Sequence, residues 1–254
     1  MPIFTADFYP STSCEVVVTR HDYADGRGFD HHRHERGQFA YAACGVITVF
    51  TDQGDWVVPP GRAIWVPAGL PHAMCMRGPV TMLNAYVLPT AQQRLALAED
   101  CQVLGVSELL RQLLEQAAQV PTALGERDEY LLGLLLHEIA RMPKLALNAP
   151  LPREPRLAKI CRRLLDQPSL EIAIDEMAQD AGMSRRTFTR LFRQHTGVSF
   201  VEWRQQACLL AAIVRLGNGE SVTRVATELG YSSPSAFATV FRRALGESPS
   251  RYFQ

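Results

Sequence analysis

The 254-residue sequence predicts an α+β multidomain protein, with an N-terminal β-barrel, a helical linker, and a C-terminal all-α domain holding two helix-turn-helix units. Three observations predict it. Residues 14–88 consist of short runs rich in Val, Ile, Phe, Tyr and Trp, broken by Gly and Pro, as strands and tight turns require. Residues 107–142 carry leucines three and four apart, the spacing of one helix face. One helix-break-helix pattern then occurs twice in the last third of the chain, about fifty residues apart. The boundaries drawn from these shifts are 1–92, 93–150 and 151–254.

The strands come first. Glu15-Val16-Val17-Val18-Thr19, Gln38-Phe39-Ala40-Tyr41 and Gly45-Val46-Ile47-Thr48-Val49-Phe50 are typical runs, and Thr51 to Trp56 is expected to turn a hairpin. Gly61, Pro67, Gly69 and Pro71 mark further turns. Phe39, Tyr41, Trp56, Trp65 and Tyr86 supply aromatic walls to a barrel interior if they face inward, which alternation allows for only some of them. A helix is expected over Leu95–Val103. Two more follow, from Ser107 (an N-cap) to Val120, and from Glu126 to Met142. The last is apolar over a face wider than a surface helix needs, which predicts packing on the barrel or on a second subunit. Pro143, Pro150, Pro152 and Pro155 make residues 143–155 the linker candidate.

Composition narrows the class. Hydrophobic residues at 47% and charged residues at 20% fit an ordinary globular protein. No run is long enough to span a bilayer and no signal peptide is evident, so a cytoplasmic location without membrane contact is the expectation. Cys14, Cys44, Cys75, Cys101, Cys161 and Cys208 form no CxxC pair and read as reduced core thiols. The net charge of zero hides an asymmetry. Residues 1–152 hold 11 Lys+Arg against 16 Asp+Glu, whereas residues 153–254 hold 15 against 10. A polyanion would meet the second part.

In that basic part, Leu170, Ile172, Ile174, Met177 and Ala178 are apolar positions of a first helix, with Asp175 near its start. Gly182 breaks it, Ser184 caps the next, and Phe188, Leu191 and Phe192 share the buried face of a helix closed by Gly197. Arg186, Thr189, Arg190 and Arg193 fall on other faces. The repeat has Val222, Val225, Ala226 and Leu229, a break at Gly230-Tyr231, a cap at Ser232 or Ser233, and Pro234 in the first turn. Phe237, Val240, Phe241 and Gly246 then answer to the first unit's Phe188, Leu191, Phe192 and Gly197. The two units span about 172–195 and about 221–244. Such a unit lays its second helix in a major groove of double-stranded DNA.

Residues 157–253 resemble the DNA-binding domain of the AraC/XylS transcription regulators. The resemblance rests on Gly230, Tyr231, Ser233, Phe237, Phe241, Arg242, Gly246, Pro249 and Tyr252, and on Ala181 to Ser184, Phe188, Leu191, Phe192 and Gly197. It implies base contacts from Arg185, Arg186, Thr189 and Arg190 in the first unit. In the second it implies Ser233, Pro234, Ser235, Ala238 and Thr239, with Arg193 and Arg242 completing the DNA-facing set. The small side chains of the second helix depart from a strong reader, so more direct readout is expected from the first. The resemblance also implies a homodimer built through residues 107–142, an arm at residues 1–13 that folds over a pocket, and, for an activator, RNA polymerase as a further partner.

The N-terminal part holds His31, His32, His34 and His72. Residues two apart on a strand share a face, so His32 and His34 can both point inward, while His31 flanks them. Gly26, His32, His34, Gln38 and Gly45, then Gly61, Pro67, Gly69 and His72, resemble the two motifs of the cupin barrel at matching spacing, with Gln where that family has Glu. The resemblance implies a divalent transition metal on His32, His34, Gln38 and His72. Imidazole suits Zn, Ni, Fe, Co and Cu alike, so residue type does not select among them. The neutral Gln38 leaves such a site more positive, or hydrogen-bonds a ligand. A metal-free pocket whose histidines bind an effector directly is the alternative. Met74, Cys75 and Met76 read as barrel core rather than soft ligands.

These readings converge on a sequence-specific DNA-binding regulator whose barrel binds a small effector, a metal, or both. The competing class is a metal-dependent cupin dioxygenase or isomerase fused to a DNA-binding domain. The two motifs supply no carboxylate to act as acid or base, which weighs against an enzyme. A direct metal sensor, with the ion as signal, is a third class.

Overall fold

Register decides which side of the N-terminal sheet meets helices and which meets the histidines. The computed structural model describes residues 4–5, 9, 13–121 and 124–253. Two compact units emerge, one from residues 1–50 and 58–145, the other from residues 51–57 and 146–254.

The first unit contains β1 (Phe4–Thr5), β2 (Val16–Tyr23), β3 (Gly28–Arg33), β4 (Gly37–Thr51), β6 (Arg62–Val66), β7 (His72–Val87), β8 (Gln102–Leu104) and β9 (Lys144–Leu145); β5 (Gly54–Val58) follows β4 in the chain. The sheet runs β1-β3-β7-β4-β6-β8-β9, with β2 also on β7. β2, β3 and β4 all run antiparallel to β7, whereas β1 runs parallel to β3, pairing Phe4 with His32 and Thr5 with Arg33. The backbone of residues 4–5 thus lies beside the first histidine; the rest of the arm expected at residues 1–13, apart from Tyr9 and Ser13, lies outside the described residues.

Phe39 stands opposite Trp65 and Ala85, Tyr41 opposite Ala63 and Leu83, and Val16 opposite Val87. All belong to one buried cluster with Leu110, Leu114, Leu132, Leu135, Leu136 and Ile139. Those leucines come from α2 (Glu108–Ala117) and α3 (Glu126–Arg141), which follow the short α1 (Pro89–Arg94). Each fully buried Leu here contributes about 1.5–3 kcal/mol of transfer free energy. Alternation turns Gln38, Ala40, Asn84 and Tyr86 to the other face. Of the five aromatic residues considered for the interior, Phe39, Tyr41 and Trp65 therefore lie under the helices. Trp56 is buried in the second unit, and only Tyr86 joins the histidines.

Several expectations meet corrections. The helix over Leu95–Val103 is replaced by α1, a left-handed Ala96 (φ 51°) and β8. Pro89 starts α1 six residues earlier, and Cys101, Val103 and Leu104 are buried as β8 pairs with β6, an interaction that periodicity cannot register. Ser107 caps α2 as expected, accepting from the Leu110 N–H at 3.1 Å. The linker at 143–155 is not bare coil but carries β9 and β10 (Asn148–Pro150). Of the six cysteines, Cys101, Cys161 and Cys208 are core thiols, Cys14 and Cys75 are half-buried, and Cys44 is exposed.

In the second unit β10 pairs with β5, setting Asn148 opposite Trp56 and Ala149 opposite Asp55. Seven helices follow: α4 (Pro155–Asp166), α5 (Ile174–Asp180), α6 (Arg185–Thr196), α7 (Phe200–Gly217), α8 (Val222–Glu228), α9 (Pro234–Leu245) and α10 (Pro249–Tyr252). α5 begins later than its apolar pattern suggests, leaving Leu170 and Ile172 ahead of it. Ser184 caps α6 and Ser233, not Ser232, caps α9. Both helices end on left-handed glycines, Gly197 at φ 77° and Gly246 at φ 90°, a conformation that costs other residues about 1 kcal/mol or more. Phe188, Phe192, Phe200 and Trp203 form one ring cluster, and the Trp203 indole donates to the Pro150 carbonyl at 2.8 Å. Phe237 and Phe241 hold α9 in the same manner.

Candidate nucleic-acid interface and candidate metal centre

Burying Phe188 and Phe192 rolls the opposite side of α6 into solvent. Arg185, Arg186, Thr189, Arg190 and Arg193 are all exposed there and, with Gln194, line one shallow depression. Gln194 escaped the sequence reading, although it sits one turn beyond Arg190, which donates to its amide oxygen at 3.5 Å. Arg185 is tied to Asp175 at 3.0 Å, but both side chains are 64% exposed, so the pair is weak and exchangeable for a phosphate.

α9 presents different chemistry. Ser233, Pro234, Ser235, Thr239 and Arg242 are exposed and Ala238 is half-buried. The Ser233 hydroxyl accepts from the Ala236 N–H at 3.1 Å, and the Thr239 hydroxyl donates to the Ser235 carbonyl at 3.0 Å. Each hydroxyl thus commits one of its hydrogen-bonding functions to its own helix, Ser233 as acceptor and Thr239 as donor. Arg242 and Arg243 leave α9 with cations near its C-terminal end, a composition suited to phosphates more than to base edges.

In the first unit, His32 ends the inward side of β3, His34 follows it, and His72 opens β7 directly opposite His32. The three are buried, and one ring nitrogen from each lies within 4.8 Å of the others. Ring centroids are 4.4 Å apart for His32–His72, 4.9 Å for His32–His34 and 5.3 Å for His34–His72. His32 Nδ1 lies 2.7 Å from the Asp30 carbonyl and His72 Nδ1 2.9 Å from the Leu70 carbonyl. A carbonyl only accepts, so each Nδ1 carries the proton and each Nε2 keeps its lone pair. His72 Nε2 is buried without a hydrogen-bond partner among the described residues. Burial lowers both imidazoles, His72 to about 3, so they are neutral and ligand-competent at neutral pH.

Gln38 joins from β4. Its Nε2 donates to Asn84 Oδ1 at 2.9 Å, which fixes the amide and leaves Oε1 buried with no partner among the described residues. Asn84 was not legible as a site residue, because only the β4–β7 register brings it beside Gln38. Tyr86 packs 5.5 Å from the His34 ring, and Tyr9 packs 4.5 Å from Tyr86. Phe29 borders His32 at 6.2 Å. His31 is exposed beside the cluster, and Met74 and Met76 are buried on the strand that His72 opens. Three buried imidazoles and one buried amide oxygen fit a borderline divalent metal.

Comparison with known proteins identifies the two domains. Residues 16–140 match the family described as the AraC-like ligand binding domain, and residues 177–254 match a helix-turn-helix domain. Over 225 residues the chain is 32% identical to the HTH-type transcriptional regulator NimR of Escherichia coli K12, covering 87% of this chain and 81% of that protein. It is an AraC-family transcription regulator. The regulator is also 28% identical over 214 residues to RipA of Corynebacterium diphtheriae, covering 81% of this chain and 60% of that relative. Among solved structures it is similar to the DNA-binding domain of AdpA in complex with a target DNA, at 36% identity over 38% of this chain and 87% of that one, with a TM-score of 0.36. The expected architecture, a cupin-like antiparallel sheet domain before a helical helix-turn-helix domain, is what this regulator has. No helix among the described residues is long and apolar enough to cross a membrane.

Proposed function

We propose that this regulator reads double-stranded DNA chiefly through α6, anchors through α9, and alters its DNA binding when a small effector occupies the site around His32, His34, Gln38 and His72. The observation that carries the first part is the exposed set Arg186, Thr189, Arg190 and Arg193, turned outward by the burial of Phe188 and Phe192. Arginine at such positions bonds guanine in the major groove bidentately, at about 1–3 kcal/mol of discrimination per contact. Arg186→Ala and Arg190→Ala are expected to relax preference among sequences in a binding-site selection. Uniform weakening across all sequences would make them phosphate contacts and sink the assignment.

For the second part, the imidazoles of His32, His34 and His72 and the Gln38 carbonyl would hold a divalent transition metal, whose role is to bind and orient the effector. Support comes from the carbonyl-fixed Nδ1 protons and the partnerless His72 Nε2. Among the described residues no carboxylate joins the histidine cluster, which favours a binding role for it over acid–base chemistry. Equilibrium binding suffices for a regulator: the effector need only prefer one of two arrangements. Working on chromosomal DNA would place the protein in the cytoplasm. A homodimer would form through α2 and α3, where Leu109, Tyr130 and Leu134 are exposed. If the regulator activates transcription, RNA polymerase is its further partner.

A further inference from the structure

Helix α7 joins the first helix-turn-helix motif, α5 and α6, to the second, α8 and α9. A second connection bypasses it. The segment 168–173, which leads into α5, packs on the turn between α8 and α9. There the Leu170 N–H donates at 3.0 Å to the Leu229 carbonyl, one of those that the end of α8 leaves without a helical partner. Gly230 comes so close that a Cβ on it would lie 3.0 Å from Glu171 Cγ and 3.4 Å from the Leu170 and Glu171 nitrogens. Two residues past Leu170, the Ile172 carbonyl accepts from the Arg204 guanidinium of α7, which itself lies 5.9 Å from the centre of the Phe200 ring. Leu229 is buried, and Leu170, Ile172 and Arg204 are half-buried, so water competes weakly for these bonds.

We propose that this segment is a brace that fixes α9 in place relative to α6, with Gly230 and Arg204 as positioning residues. The inference rests on the reading that both helices meet DNA. Ile172 lies two residues before α5, and Gly230 lies four residues before α9, so the brace grips each motif at the entry to one of its helices. A single connecting helix leaves one motif free to twist and bend against the other. A second point of attachment, away from that helix, removes the freedom. Successive major grooves on one face of a duplex lie about 34 Å apart, and a reading helix turned or displaced by a few ångströms misses its groove while its partner stays docked. Holding the two helices in position beforehand lets the second dock at the effective concentration that the first creates.

The test uses the full chain on a duplex recovered by binding-site selection, followed by hydroxyl-radical footprinting. The wild type should protect two segments about one helical turn apart, and Arg242→Ala identifies the α9 segment by weakening it. Arg204→Met keeps an aliphatic chain near Phe200 and loses the bond to Ile172. Gly230→Asn installs a residue that tolerates the left-handed φ of 79° but drives its Cβ against Glu171. In both variants the α6 segment should persist while the α9 segment fades, with overall affinity about tenfold weaker. Retention of both segments in either variant would overturn the brace. So would parallel fading of both segments, the mark of a domain merely loosened. In the wild type, the Leu170 amide should exchange with solvent as slowly as the core amides of α7, and rapid exchange would overturn the proposal even if neither variant folds. A single protected segment in the wild type would instead sink the two-helix reading beneath it.

Discussion

Asp55 illustrates how one side chain can set a pH dependence. It lies on β5 opposite Ala149, and burial pushes its carboxyl up to about 6, with Arg162 pulling the other way and Asp166 adding repulsion. The folded form therefore holds its proton to higher pH than the unfolded chain, which titrates near the ordinary value of 3.8. Its contribution to stability is fully present below about pH 4 and is lost as pH rises through about 6. Asp55→Asn removes the cost of ionisation. It should raise stability at pH 7 by about 1–2 kcal/mol and flatten the decline between pH 4 and 6, as read by urea denaturation across that range. An unchanged pH profile would mean the carboxyl is solvated. His72 runs in the opposite sense. Its depressed value means the unfolded chain gains a proton below about 6.5 that the folded chain refuses, so acid destabilises the fold through this residue.

At the scale of elements, α6 and α9 share a scaffold and diverge in chemistry. Arg242→Ala in α9 should weaken binding about equally on all sequences and reduce the slope of log K against log salt by about one. A change in sequence preference would show that α9 reads bases after all. Their common scaffold is the ring cluster. Phe192→Ala should cost about 3–5 kcal/mol because Phe188, Phe200 and Trp203 all lose a neighbour. Chemical denaturation followed by Trp fluorescence measures it, and a loss under about 1 kcal/mol would mean the cluster repacks. These helices were legible in the sequence because their signals are local: caps at Ser184 and Ser233, glycines at 197 and 246, aromatic residues four apart. β8 and β10 were not, since a three-residue strand exists only by virtue of its partner. The candidate metal ligands were legible through spacing, whereas Asn84 and the burial of Phe39, Tyr41 and Trp65 under helices depend on register, which spacing does not encode.

At the scale of the whole molecule, two reading helices in one chain would make an asymmetric DNA footprint, and a second copy would multiply its strength without new base contacts. The surface available for pairing is apolar. Leu109 on α2 is 50% exposed, and on α3 Tyr130 is 71% and Leu134 46% exposed, one turn apart, while Leu132, Leu135, Leu136 and Ile139 are already committed to the core. An apolar stripe left over after the core is filled is what a helix–helix interface uses. Replacing Tyr130 and Leu134 together by Glu places like charges on both copies and leaves the buried leucines untouched. Sedimentation equilibrium should then give half the wild-type mass. Affinity for DNA carrying two half-sites should fall by about a hundredfold, while affinity for a single half-site changes less than about twofold. A variant that keeps its mass would move the interface elsewhere. Equal losses on both DNAs would show that the substitutions had reached the reading helices rather than the pairing of subunits.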